Sequence, residues 1–187
     1  MTSPIVVISA LPDELTTANA PPGVEIVYSG IGKLNAAIAT ARAIHDFRPQ
    51  LLVNFGTAGR VHAGVGGLIS IGAVIQRDMQ AMPLAPRGTT PFDSTPALLR
   101  SGVSGALCAT GDSFVTSTDR WLTEQGADIV DMELFAIALT CHRLATPWRA
   151  FKFITDDAND NSAKEWQDNV MNGEVMFWDA FRVLTAH

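Results

Sequence analysis

The chain has 187 residues, 47% of them hydrophobic and 17% charged, with a formal net charge of −6. That length suits one domain round one core, and so little charge excludes a disordered or solvating segment. An acidic chain also lacks the basic face that phosphate neutralisation needs, so nucleic acid is not an expected partner.

Pro4–Ala10 predicts a strand covered on both faces, because Ile5, Val6, Val7 and Ile8 run without alternation. Val24–Tyr28 predicts a shorter second strand closed by Gly30-Ile31-Gly32. Lys33–Phe47 follows with Leu34, Ile38, Ala41 and Phe47 at helical spacing, and Pro49 stops that helix. Leu51–Phe55 predicts another buried strand, ending in Gly56-Thr57-Ala58-Gly59. Leu68–Gln76 predicts a strand, and Met79–Pro96, rich in Pro, Gly and Thr, predicts a loop. Ala106–Thr110 predicts a strand ending in Gly111-Asp112. In Thr116-Ser117-Thr118-Asp119 the acid stands three residues after Thr116, as in a capping box that opens a helix. Ile129-Val130 predicts a short strand, and Met132–Leu144 a helix with Leu134, Ile137, Ala138, Cys141 and Leu144 on one face. Trp148–Thr155 predicts the last strand. Ser162 and Glu165 repeat the capping-box pattern ahead of a final helix carrying Trp166, Val170, Phe177, Phe181 and Leu184.

Alternating strands and helices without a repeat or linker predict an α/β fold. The expectation is a single three-layer domain over residues 1–187 with a largely parallel, mixed central sheet. In such sheets ligands bind at the carboxyl ends of the strands. That rule selects Leu11–Glu14, Gly30–Gly32, Gly56–Gly59, Gly111–Val115, Asp131–Glu133 and Asp156-Asp157, where polar residues and glycines do gather.

The mean hydropathy of +0.17 is high for a small monomer, so a homo-oligomer, in the simplest case a dimer, is expected. No apolar run reaches the roughly 18 residues of a membrane span, and Met1–Pro4 offers no basic region of a signal peptide. Cys108 and Cys141 stand far apart without a CxxC, which predicts two reduced thiols and neither a zinc site nor a disulfide. A cytoplasmic protein with no membrane partner is expected.

Gly30-Ile31-Gly32-Lys33-Leu34-Asn35 begins like a dinucleotide fingerprint, but Asn35 replaces the third glycine. The following strand ends in Asn54-Phe55-Gly56, without the acid that would hold a ribose hydroxyl. No cofactor and no metal are expected.

Five blocks carry a resemblance: Gly30-Ile31-Gly32-Lys33-Leu34-Asn35-Ala36-Ala37, Asn54–Gly59, Ala109–Phe114, Val130-Asp131-Met132-Glu133 and Ile154–Ala158. Each is weak alone, but their order resembles the purine nucleoside phosphorylase/nucleosidase superfamily over nearly the whole chain. The likeness is greatest to the methylthioadenosine/S-adenosylhomocysteine nucleosidase branch. It implies a nucleoside phosphorylase-like fold and cleavage of a purine nucleoside between base and ribose.

The resemblance also implies roles. Glu133 would bind the ribose 2′- and 3′-hydroxyls, with Met132 under the sugar; such bonds favour an oxocarbenium-like transition state if they tighten in it. Asp156 would protonate the purine N7, so that a neutral base leaves. Glu14 would activate the attacking water, with Asp13 as a competing candidate. Phe114 would stack on the base, the Val115 backbone would read its edge, and Trp166 would face the 5′ substituent. Thr57, Ala58, Gly59, Asp131 and Thr155 stand within the matching blocks and join the expected substrate-binding set. Lys152 stands where the nucleosidases usually carry arginine; the charge survives but the planar fork does not.

The phosphorylases of the superfamily hold phosphate with arginines and a glycine-containing loop after the first strand. Here that loop is Leu11-Pro12-Asp13-Glu14, which is acidic, and Asn54 stands where they carry arginine. Water is the expected nucleophile, with Arg60 and Lys33 as the cations that could still approach an anion. A phosphorylase and a non-catalytic nucleoside-binding protein are the alternatives. The regions 15–23 and 78–105 are short for the family. They leave open methylthioadenosine, S-adenosylhomocysteine, 5′-deoxyadenosine, AMP and futalosine as substrates.

Overall fold

The computed structural model describes residues 4–115, 119–157 and 169–186. Its strands are β1 (Ile5–Ser9), β2 (Val24–Tyr28), β3 (Leu51–Arg60), β4 (Leu68–Gln76), β5 (Leu98–Arg100), β6 (Ala106–Thr110), β7 (Ile129–Asp131) and β8 (Trp148–Asp156). The helices are α1 (Lys33–Phe47), α2 (Arg120–Glu124), α3 (Leu134–Arg143) and α4 (Glu174–Thr185). The strands form one mixed eight-stranded sheet in the order β2-β1-β3-β7-β6-β4-β5, with β8 paired to both β3 and β4. Through β8 the sheet closes a ring of β3, β7, β6, β4 and β8.

Successive residues of a strand face opposite sides of a sheet, and the core follows that rule. Val6, Ile8 and Leu52 pack with Ala36 and Ala43 of α1 and with Leu134 and Ile137 of α3. Val7, Val53 and Phe55 pack with Phe177, Trp178 and Phe181 of α4. Helices thus cover both faces, which makes three layers. Phe177 stacks on Phe55 with ring centroids 4.4 Å apart. Burying a side chain of that size completely stabilises the fold by roughly 1.5–3 kcal/mol.

Four expectations are corrected. β3 does not end at Phe55 but continues to Arg60, because β8 and then β7 keep pairing with it. α3 begins at Leu134 rather than Met132, since the Asp131 carboxylate takes the Leu134 N–H (2.8 Å) and Glu133 N–H (3.3 Å). Asp119 is itself the N-cap of α2, accepting from Trp121 N at 3.0 Å, so it is not the third helical residue of a capping box. β5, just beyond the Met79–Pro96 loop, matches no expected strand. The sequence pattern also picked the wrong face of α1. Its buried residues are Ala36, Thr40 and Ala43, while Leu34 is 73% exposed and Ile38 53%. Residues 116–118 and the Ser162–Trp166 helix start lie outside the described residues.

Candidate active site

β1 stops at Ser9 while β3 beside it runs on, and the chain turns under that step. The turn is closed by Glu14 N donating to Leu11 O at 3.1 Å, and it aims a buried Glu14 carboxylate along β3. Glu14 Oε2 accepts from Ser9 Oγ (3.0 Å), Ala10 N (3.0 Å) and Leu11 N (3.2 Å), and Oε1 accepts from Thr57 N (3.0 Å) and Thr57 Oγ1 (2.9 Å). A Cβ on Gly56 would lie 3.2 Å from Lys152 Nζ and 3.5 Å from Glu14 Oε1. Glycine at that position therefore lets the ammonium and the carboxylate both approach the strand.

Across the cavity stands a buried charged cluster. Asp131 Oδ1 accepts from Thr110 Oγ1 at 2.5 Å, and Asp131 Oδ2 pairs with Lys152 Nζ at 2.8 Å. Burial would raise the Asp131 carboxyl, but Lys152 and the bonds from Thr110 and Leu134 outweigh it and hold it below the usual range. Burial likewise pulls the Lys152 ammonium down, yet Asp131 and then Glu133 raise it above its ordinary value. Glu133 Oε1 accepts from Gly32 N at 2.9 Å. That contact needs the Gly32 φ of 95°, in the region that favours glycine. Burial first, then the Asp131 charge, push the Glu133 carboxyl up to about 7.

The third wall is made by the end of β8 and by the loop after β6. β8 pairs Ile154 with Ala58 and Asp156 with Gly59, so Thr155 is an extra residue in the register. Such a bulge re-aims the side chain beside it, and Asp156 lines the cavity with its residue only 9% exposed. Thr155 Oγ1 donates to Asp156 Oδ2 at 3.0 Å. Phe114, 48% exposed, and Val115 close the rim.

One cavity of about 230 Å³ gathers Glu14, Thr57, Ala58, Gly59, Phe114, Val115, Asp131, Met132, Glu133 and Asp156 from the expected set. Lys152 and Thr155 stand behind its wall and hold Asp131 and Asp156 rather than facing the open space. The Asp131 side chain has no exposed area; it is spent on Lys152, Thr110, Cys108 and the start of α3. Asp131 therefore positions Glu133. Trp166 lies outside the described residues.

Leu11, Ile31, Ser113 and Arg77 line the same cavity, and sequence reasoning did not assign them roles. Arg77 follows directly on the end of β4, so the strand-end rule would have found it had β4 been included. Its guanidinium donates to Gly111 O at 2.9 Å and to Ser113 O, fixing the loop that carries Phe114. The two cations left open by the sequence are both engaged. Lys33 Nζ pairs with Asp78 Oδ1 at 2.5 Å, and Arg60 Nε with Asp157 Oδ1 at 2.5 Å.

A family model described as the phosphorylase superfamily matches residues 14–177. A 5′-methylthioadenosine/S-adenosylhomocysteine nucleosidase of Staphylococcus haemolyticus is 33% identical over 73% of this chain and 69% of its own length. One of Bacillus velezensis is 30% identical over 75% and 71%. Among solved structures, a 5′-methylthioadenosine/S-adenosylhomocysteine nucleosidase from Helicobacter pylori superposes with a TM-score of 0.84 at 20% identity, covering 96% of this chain and 97% of that one. A futalosine hydrolase mutant from the same species gives 0.81 at 19%, covering 92% and 94%; at these identities both speak for the fold. With the family model matching most of its length and a curated relative 33% identical over 73% of it, the chain belongs to the phosphorylase superfamily, in its nucleosidase branch.

Proposed function

We propose that the chain hydrolyses the N-glycosidic bond of an adenine nucleoside with a 5′-thio substituent, using water as the nucleophile. One observation carries the choice of water. The N–H groups of Ala10, Leu11 and Thr57, which could have cradled an anion at the end of β1, are all turned onto the carboxylate of Glu14. A phosphate dianion there would meet a carboxylate instead of donors.

The steps follow from the three walls. Glu14 accepts a proton from the water that attacks C1′. Glu133 accepts from the ribose 2′- and 3′-hydroxyls as positive charge develops on the sugar. Asp156 delivers a proton to N7, the C1′–N9 bond breaks, and neutral adenine leaves with the 5-thio-substituted ribose, now carrying the hydroxyl from water at C1′, as the other product. Phe114 stacks on the base and Met132 lies under the sugar. Asp131, Lys152 and Thr155 keep Glu133 and Asp156 in place.

The 5′-thio assignment is supported by the names of the curated relatives and by the apolar residues Leu11 and Ile31 in the cavity wall. Purified protein is to be given methylthioadenosine, S-adenosylhomocysteine, adenosine, inosine, futalosine and AMP. The first two are expected to release base fastest; faster turnover of AMP or futalosine overturns the assignment. Asp156→Asn is expected to lower turnover of the best substrate by about 10²–10⁴-fold with the fold retained, and near-normal turnover refutes the acid role.

A further inference from the structure

The segment Asn169–Trp178 bonds the chain next to two of the cavity's carboxylates, Asp156 and Glu14. Asn169 Nδ2 donates to Thr155 O at 3.2 Å, the carbonyl that immediately precedes Asp156. Glu174, the first residue of α4, reaches the loop after Glu14. Its Oε1 accepts from Thr16 N (3.3 Å), Thr16 Oγ1 (2.8 Å) and Asn19 Nδ2 (3.1 Å), and from Trp178 Nε1 (3.3 Å) one turn along α4. Thr16 is two residues beyond Glu14.

Gly173 seats this segment on the sheet. A Cβ there would lie 2.7 Å from Phe153 Cβ and 3.0 Å from Phe55 Cζ, so the backbone rests directly on side chains of β8 and β3. The stretch after Glu14 has no strand pairing before Val24. Leu15 anchors its start in the core beside Val7 and Phe177, and Tyr28 Oη donates to Leu15 O at 2.8 Å, while Glu174 takes the bonds from Thr16 and Asn19 beyond it. A first-turn acid would ordinarily complement the dipole of its own helix; this one spends its oxygen on a loop 158 positions away in sequence.

We propose that Glu174 is a positioning residue for the reaction. Seated on α4, it fixes the loop that carries Glu14, while Asn169 fixes the strand end that carries Asp156. The segment between them thereby sets the separation of base and acid. The inference rests on the catalytic roles given above to Glu14 and Asp156.

The test compares Glu174→Ala, Glu174→Gln and Thr16→Val in the full chain by steady-state kinetics and amide hydrogen exchange. Glutamine keeps an acceptor oxygen for Thr16 and Asn19, whereas alanine removes it. Because displacements of about 1 Å at a reacting group cost on the order of 10²-fold, Glu174→Ala is expected to lower kcat by about tenfold or more with little change in KM. Glu174→Gln is expected to recover most of that loss, and Thr16→Val to fall between. Exchange in Glu174→Ala is expected to quicken at Ala10, Leu11 and Thr57, the amides held by Glu14, and not only near Thr16.

An unchanged kcat in Glu174→Ala overturns the proposal. So do equal losses in the alanine and glutamine variants, or exchange confined to residues 16–19 and 174–178. Should Glu174→Ala fail to fold, Thr16→Val decides by the same two readouts. A wild-type protein that releases base from no nucleoside sinks the proposed function, and the exchange pattern then still decides whether Glu174 governs the Glu14 loop.

Discussion

Glu133 and Asp131 are two residues apart and burial raises both carboxyls, yet they end on opposite sides of the usual carboxylate range. Asp131 has Lys152 against it and is held low; Glu133 has burial and the Asp131 charge against it and rises to about 7. A carboxyl raised above its unfolded value favours the native state when protonated. Its contribution to stability is therefore present below about 4.5, the ordinary glutamate value, and is lost as pH rises through about 7. Asp131 runs the other way, and its contribution is lost as pH falls. Glu133→Gln is expected to remove the decline in melting temperature across that interval, while wild-type kcat/KM climbs toward pH 7 as Glu133, the acceptor proposed for the ribose hydroxyls, ionises. Thermal melts across that pH range check this; wild type and variant with the same pH profile contradict it. Lys152 shows the cost of such a pair from the other partner. Removing it as Lys152→Met leaves Asp131 buried without a counter-charge, which should cost about 3–5 kcal/mol in denaturant unfolding. A loss below about 1 kcal/mol contradicts the reading of the pair as the anchor of Glu133.

At the level of elements, the sequence was most legible where the backbone pattern is local. The bounds of α1 and β4 agree with those expected from periodicity and breakers. What periodicity could not supply was which face of α1 is buried. The apolar residues Leu34 and Ile38 point outward, because the contact with α3 is made by small residues, Ala36 and Ala43, that allow close approach. β3 was misjudged for a related reason. Gly56 and Gly59 read as a strand end, yet they continue a strand paired on both edges, and Gly56 is there to admit Lys152 and Glu14. Gly173 makes the same kind of contact between α4 and the sheet. Gly173→Ala is expected to destabilise by about 1–3 kcal/mol through overpacking against Phe153. An unchanged denaturation midpoint argues against close seating of that segment.

At the scale of the whole molecule, the carboxyl ends of strands distant in sequence bring Glu14, Glu133 and Asp156 to one cavity. The strand-end rule foretold that convergence from sequence alone. The division of labour behind the cavity was not legible. Nothing in the spacing of Asp131, Lys152 and Thr155 says that they support rather than touch, since that depends on pairing across β3, β7 and β8. Arg77, at the end of β4, was within reach of the strand-end rule, but its grip on the backbone of another loop was not legible in spacing. The apolar excess that suggested association shows up as exposed side chains on α1 and at the cavity rim, among them Ile31 and Phe114.

The central claim is that water, not phosphate, meets the sugar beside Glu14. The direct measurement is release of adenine from methylthioadenosine in phosphate-free buffer, with the sugar product identified. Full-rate release of adenine with free 5-methylthioribose, unchanged on adding phosphate, is the predicted result. Adenine appearing only with phosphate, accompanied by 5-methylthioribose 1-phosphate, would contradict it.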